Sequence, residues 1–133
     1  MARQIYVNLS VKNLDKSKAF FSALGFSFNA EFTNESGAGM IVAEDIFVML
    51  LTEPFFATFT AKPIADANHV TEVLVCLSCD NRAQVDDLVR MARAAGGTVP
   101  RNAQDQGFMY GHGFEDLDGH IWELVHMTPK TGT

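Results

Sequence analysis

Cysteine is scarce in this chain. Its two cysteines, Cys76 and Cys79, form a C-x-x-C inside the apolar run Val73 to Cys79. Redox pairs of that spacing usually sit at a helix N-terminus, where the dipole lowers the thiol pKa, and structural zinc needs two further ligands. The run reads instead as a strand, where a spacing of three sends the thiols to opposite faces, so small core residues are expected. Long apolar runs are missing too. None approaches the roughly 20 residues that span a bilayer. The opening Met1-Ala2-Arg3-Gln4-Ile5-Tyr6 lacks the apolar core of a signal peptide, so a cytoplasmic protein with no membrane partner is expected. Basic charge is the minority: 10 Lys and Arg stand against 16 Asp and Glu, a net charge of −6. Nucleic acid is therefore not an expected partner. The acidity slightly favours a cationic small molecule, although solubility alone also accounts for it.

What is present suits one globular domain over residues 1–133. The chain is 47% hydrophobic and 20% charged, and this length buries roughly two-thirds of its unfolded surface. Ile5 to Val11 alternates Ile5, Val7, Leu9 and Val11 against Tyr6, Asn8 and Ser10, which marks a strand with one polar face. Asn13 or Asp15 then caps a helix with the stripe Ala19, Phe20, Ala23 and Leu24, stopped by Gly25. Phe26 to Thr33, Gly39 to Ala43 and Ile46 to Leu51 follow as strands. The stretch from Thr52 to Val70 has no sustained period and reads as a linker with a helical turn or two.

The order then repeats. Glu72 to Cys79 is a strand, and Asn81 with Gln84 opens a helix whose stripe is Val85, Leu88, Val89, Ala92 and Ala95. Three strands complete the set: Thr98 to Arg101, Phe108 to Glu115 and Ile121 to Met127. Asp118-Gly119 provides the last turn. The tail Pro129 to Thr133 is expected to fray. Two β-α-β-β-β modules (residues 4–52 and 71–128, linker 53–70) make an α+β fold.

This duplication carries a resemblance, together with Val11-Lys12-Asn13-Leu14-Asp15-Lys16-Ser17 before Phe20-Phe21 and Leu24-Gly25-Phe26. Asp116-Leu117-Asp118-Gly119-His120-Ile121-Trp122-Glu123 adds to it. Residues 4 to 128 are similar to the vicinal oxygen chelate superfamily, which includes glyoxalase I, extradiol dioxygenases, fosfomycin-resistance enzymes and bleomycin-resistance proteins. With Gly107-Phe108-Met109-Tyr110-Gly111, the nearest resemblance is to the bacterial group labelled predicted lactoylglutathione lyase. The resemblance implies a mixed sheet curled into a cup around a small ligand, helices on its outer face, and a homodimer.

It also implies four ligand positions in metal-dependent relatives. They fall on Tyr6, Met49, Leu74 and Glu123, and Glu123 alone offers a carboxylate. Thioether and alkyl groups do not replace imidazole or carboxylate around a borderline cation. No cofactor is expected, and a divalent metal is disfavoured. Glu123 is the candidate catalytic residue. The candidate ligand-binding set is Tyr6, Asn8, Met49, Leu74, Cys76, Tyr110, His112 and Glu123.

A carboxylate on a strand between Ile121 and Val125 needs compensation, since a buried charge costs several kcal/mol. A Tyr6/Asn8 hydrogen-bond network is the expected partner, and a salt bridge to Arg101 or Arg3 the alternative. The function that fits is a small-molecule-binding protein without a complete metal site. A metal-dependent lactoylglutathione lyase-like enzyme, or a metal-free lyase or isomerase using Glu123 and Tyr6, stays open. So does the ligand's identity.

Overall fold

The computed structural model describes residues 3–128, so the tail expected to fray lies outside the described residues. Two units divide between Asp66 and Ala67, within the segment expected as a linker.

The first unit runs β1 (Ile5–Val11), α1 (Leu14–Ala23), β2 (Ser27–Asn29), β3 (Gly37–Ala43) and β4 (Ile46–Thr52), then the single turn α2 (Glu53–Phe56). The second runs β5 (Leu74–Ser78), α3 (Arg82–Ala94), β6 (Gln104–Asp105), β7 (Met109–Glu115) and β8 (Ile121–Met127). Each unit forms a four-stranded sheet with the same order, β1-β4-β3-β2 and β5-β8-β7-β6. In both, the first strand lies parallel to the last, and the other pairs are antiparallel. This is the expected α+β pair of modules.

Capping sets the helices. The Asn13 side chain accepts the Lys16 N–H at 3.0 Å, so Asn13 rather than Asp15 starts α1. Gly25, at φ +96°, takes the left-handed conformation that ends it. Asn81 accepts the Gln84 N–H at 2.8 Å, while Gln84 Oε1 accepts the Asp80 N–H at 2.7 Å. The buried stripe of α1 is Leu14, Ser17, Phe20 and Phe21 followed by Leu24; Ala19 and Ala23 are exposed, contrary to expectation. Large rings decide which face turns inward, because burying Phe21 removes far more apolar area than burying Ala19.

Besides β5, which is trimmed at both ends to Leu74–Ser78, two strands are shorter than the alternation suggests. After Asn29 the chain enters a 3-10 turn, Ala30–Phe32, because Asn29 Oδ1 accepts the Glu31 N–H and the Thr33 hydroxyl donates to the Asn29 carbonyl. In place of a strand from Thr98 to Arg101 there is a single bridge between Thr98 and Glu115. Pro100, lacking an N–H, interrupts the ladder before β6 resumes it for two residues.

Each sheet packs one face on its helix. In the second unit Val85, Val89, Phe114, Trp122 and Leu124 form that core, with Trp122 and Phe114 stacked at 6.3 Å. Complete burial of the Trp122 indole is worth at most about 5 kcal/mol at roughly 25 cal/mol per Å².

Candidate functional site

The final hairpin is built around Asp116, which is 5% exposed. Its Oδ1 accepts the backbone N–H groups of Asp118 and His120, each at 3.0 Å. Its Oδ2 accepts the Trp122 indole N–H, also at 3.0 Å. One carboxylate therefore fixes both the turn and the inward direction of Trp122, and strand alternation then sends Glu123 outward. Burial pushes the Asp116 carboxyl above the usual carboxylate range, against the pull of His120, the indole and the two backbone donors.

The outward face of this sheet carries a concavity of about 290 Å³. Leu74, Met109, Ile121 and Val125 give it apolar walls, and Glu115 and Glu123 are its two acidic residues. Glu123 is half-buried, and among the described residues no hydrogen bond or ion pair engages its side chain. Arg101 borders the concavity without pairing to it. Room for the carboxylate comes from Gly113, its partner across the β7–β8 ladder. A Cβ there would lie 2.8 Å from Glu123 Oε2. On the other side Cys76 is Glu123's partner in β5. Burial raises the Cys76 thiol pKa first, and the Glu123 charge raises it further. Cys79 is raised as well, by burial and then by Asp80 and Cys76. Neither thiol is activated. Cys79 is a core residue as expected, whereas Cys76 is exposed on the Glu123 face.

The same register recurs in the first unit. Met49 pairs with Asn8 and Gly39 as Glu123 pairs with Cys76 and Gly113. Met49 Sδ would meet a Cβ on Gly39 at 3.5 Å. Tyr6 stacks on Phe47 at 5.0 Å, and its hydroxyl donates to Gln4 Oε1 at 2.7 Å. The Asn8 amide donates to the Tyr6 carbonyl at 3.3 Å. Both polar groups thus find partners two residues away along the chain. Asn8 also borders a separate concavity of about 370 Å³ with Leu51, Phe56, Phe59 and Thr60.

Tyr110 turns from β7 toward α3. The Tyr110 hydroxyl donates to Asp86 of α3 at 2.5 Å, and the Arg82 guanidinium sits 5.0 Å over its ring. His112 Nε2 lies 2.9 Å from the Arg101 carbonyl oxygen. Of the candidate set, the second sheet therefore brings Leu74, Cys76 and Glu123 together and turns the Tyr110 ring toward α3, while His112 also lines the concavity. Sequence reasoning did not single out Asp116 or Arg82. A carboxylate six residues before a buried tryptophan was the available signal for the first; for Arg82 there was none.

Residues 3–124 match the family model described as Glyoxalase/Bleomycin resistance protein/Dioxygenase superfamily. The chain belongs to that superfamily. No curated protein matches it by sequence. Among solved structures it is similar to a hypothetical protein from S. aureus, with 28% identity, a TM-score of 0.80, and 95% of this chain and 94% of that one covered. A glyoxalase/bleomycin resistance protein/dioxygenase family enzyme from Burkholderia phytofirmans PsJN shares 18% identity at TM-score 0.77, covering 95% and 99%. A genomically encoded fosfomycin resistance protein from Listeria monocytogenes shares 18% at TM-score 0.68, covering 98% and 94%.

Members of the glyoxalase superfamily often bind a metal, which demands several imidazole or carboxylate donors at one place. Among the described residues no group of three or more His, Cys, Asp or Glu side chains is placed to hold one. A phenol, a thioether and an alkyl group at Tyr6, Met49 and Leu74 do not fit a borderline divalent cation. Among the described residues, no helix is long and apolar enough to cross a membrane.

Proposed function

We propose that this glyoxalase-superfamily protein binds a small molecule on the open face of its second sheet, without a metal, and acts as a homodimer in the cytoplasm. The Glu123 carboxylate anchors a cationic or hydroxyl group of the ligand, and Leu74, Ile121, Val125 and Met109 take its apolar part. The observation carrying this reading is Glu123 itself: a half-buried carboxylate with an apolar surround and no engaged donor. Groups of that kind gain most from a ligand that supplies the missing partner. The fold shared with a fosfomycin resistance protein supports small-molecule recognition as the class.

Titration with thioflavin T, a cationic aromatic dye, tests the proposal against its anionic counterpart ANS. The cationic dye is expected to bind more tightly, and Glu123→Gln to weaken it by about tenfold, the loss of one charge-assisted contact. Equal binding of both dyes, or an unmoved affinity in Glu123→Gln, refutes it. Lyase chemistry of the lactoylglutathione type requires a bound divalent metal, and the donor set yields no step through one. Purified protein should carry less than about one-tenth equivalent of Zn, Ni, Fe or Mn, given one carboxylate ligand. Stoichiometric metal at Glu123 would restore the lyase reading. Light scattering tests the dimer.

A further inference from the structure

The segment that borders the concavity contributes no buried residue. Every residue from Pro100 to Phe108 is exposed. β6 contributes two residue pairs to the ladder, Gln104 with Gly111 and Asp105 with Tyr110. Apolar packing therefore does not hold this segment, yet Arg101, Asn102, Gln104 and Gln106 form one side of the concavity.

Polar contacts from behind the sheet supply the hold. Arg82, in the first turn of α3, donates to both Asp105 oxygens, at 2.6 and 2.9 Å, and to the Gly107 carbonyl at 3.2 Å. Asp105 Oδ1 also accepts the Gly107 N–H at 3.0 Å, closing the turn on itself. Tyr110 backs the guanidinium, and Asp86, one helical turn beyond Arg82, fixes the Tyr110 hydroxyl. At the far end of the segment His112 meets the Arg101 carbonyl. A planar fork matched to a carboxylate fixes direction as well as distance, which a single ammonium does not.

We propose that Arg82 is a positioning residue for the concavity: by fastening Asp105 and Gly107 to α3 it holds the Arg101–Gln106 rim beside Met109 and sets how readily the site opens. The inference deepens the binding reading above and rests on it for the site's purpose. Tyr110 acts on the same rim from the α3 side, and His112 meets it at the Arg101 carbonyl.

Peroxide oxidation of methionines in the full chain tests this without a ligand. Met109 lines the concavity, Met127 at 60% exposed serves as an open control, and Trp122, the sole tryptophan, reports the second unit's core. Arg82→Ala keeps a strong helix former in α3. It is expected to speed Met109 oxidation about fivefold through local opening, with Met127 oxidation and Trp122 emission unchanged. Arg82→Lys, which keeps charge but loses the fork, falls between. An unchanged Met109 rate overturns the proposal, and so does a Met109 gain accompanied by a red-shifted Trp122. In a second arm, thioflavin T should dissociate faster from Arg82→Ala by a similar factor; an unchanged dissociation rate overturns the link to the site. Should wild-type protein not bind the dye at all, the binding reading falls, while the Met109 comparison still decides the rim.

Discussion

Glu123 stands opposite Gly113 in the β7–β8 ladder, and the carboxylate occupies space that any side chain at 113 would claim. A Cβ at Gly113 would lie 2.8 Å from Glu123 Oε2 and 2.8 Å from the Trp122 carbonyl oxygen. The carboxylate can swing aside, but the backbone oxygen cannot move without disturbing the ladder. Gly113→Ala is therefore expected to cost about 1–3 kcal/mol, as overpacking does. Gly111 is the control, because a Cβ there meets Val125 at an ordinary 3.5 Å. Urea denaturation that finds equal costs for the two substitutions would sink this account.

Glu123→Gln should leave stability within about 0.5 kcal/mol, because no engaged partner is stranded. A loss of 3–5 kcal/mol would instead reveal a buried ion pair. The same substitution is read at Cys76, whose thiol pKa is raised by burial and then by the Glu123 charge. Removing that charge lowers the pKa and enlarges the thiolate fraction. Alkylation of Cys76 by iodoacetamide at pH 8 should accelerate about twofold, since burial, the larger cause, remains. An unmoved rate would mean that the two groups do not sense each other.

Asp116→Asn tests the hairpin. An amide has one acceptor oxygen, so either the Trp122 indole or the turn N–H pair faces an NH₂ group. The expected cost at neutral pH is about 1–3 kcal/mol, from a buried donor left unsatisfied. Because burial raises the wild-type Asp116 pKa, the folded state holds its proton more tightly than the unfolded chain. That contribution to stability is fully present below the unfolded value of about 3.9 and is lost as pH rises through the folded pKa. The gap between wild type and Asp116→Asn should therefore widen on acidification. A gap that narrows would reverse the assigned direction.

Gly119→Ala strikes the same turn through the backbone. Gly119 has φ +88°, and a Cβ would lie 2.5 Å from Asn68 Oδ1 and 2.8 Å from the Asn68 nitrogen. Strain and crowding together should cost about 2–4 kcal/mol. A midpoint unchanged in thermal unfolding would contradict both.

The duplicated order of elements could be read because its signals are local: Asn13 and Asn81 as caps, Gly25 at a helix end, alternation in β1 and β8. Glu123 was legible for a related reason, a charge out of place in an apolar pattern. Where side chains compete with the ladder the pattern failed, as at Asn29, whose amide turns the chain early. The faces of Tyr110 and His112 could not be fixed from the sequence, because a glycine-rich strand carries no alternation. Arg82 could not be found by pattern, since its partner Asp105 lies 23 residues away.

Gly37-Ala38-Gly39 in β3 and Gly111-His112-Gly113 in β7 occupy matching registers, each setting two glycines against the last strand of its sheet. The neighbouring last strand alone then decides what chemistry stands there: a thioether from Met49 in one unit, a carboxylate from Glu123 in the other. The chemistry of that face is thus separated from foldability, because the residues that hold each sheet to its helix lie on the reverse side. Exchanging the side chain at position 49 or 123 amounts to changing the tip of a tool whose handle is untouched.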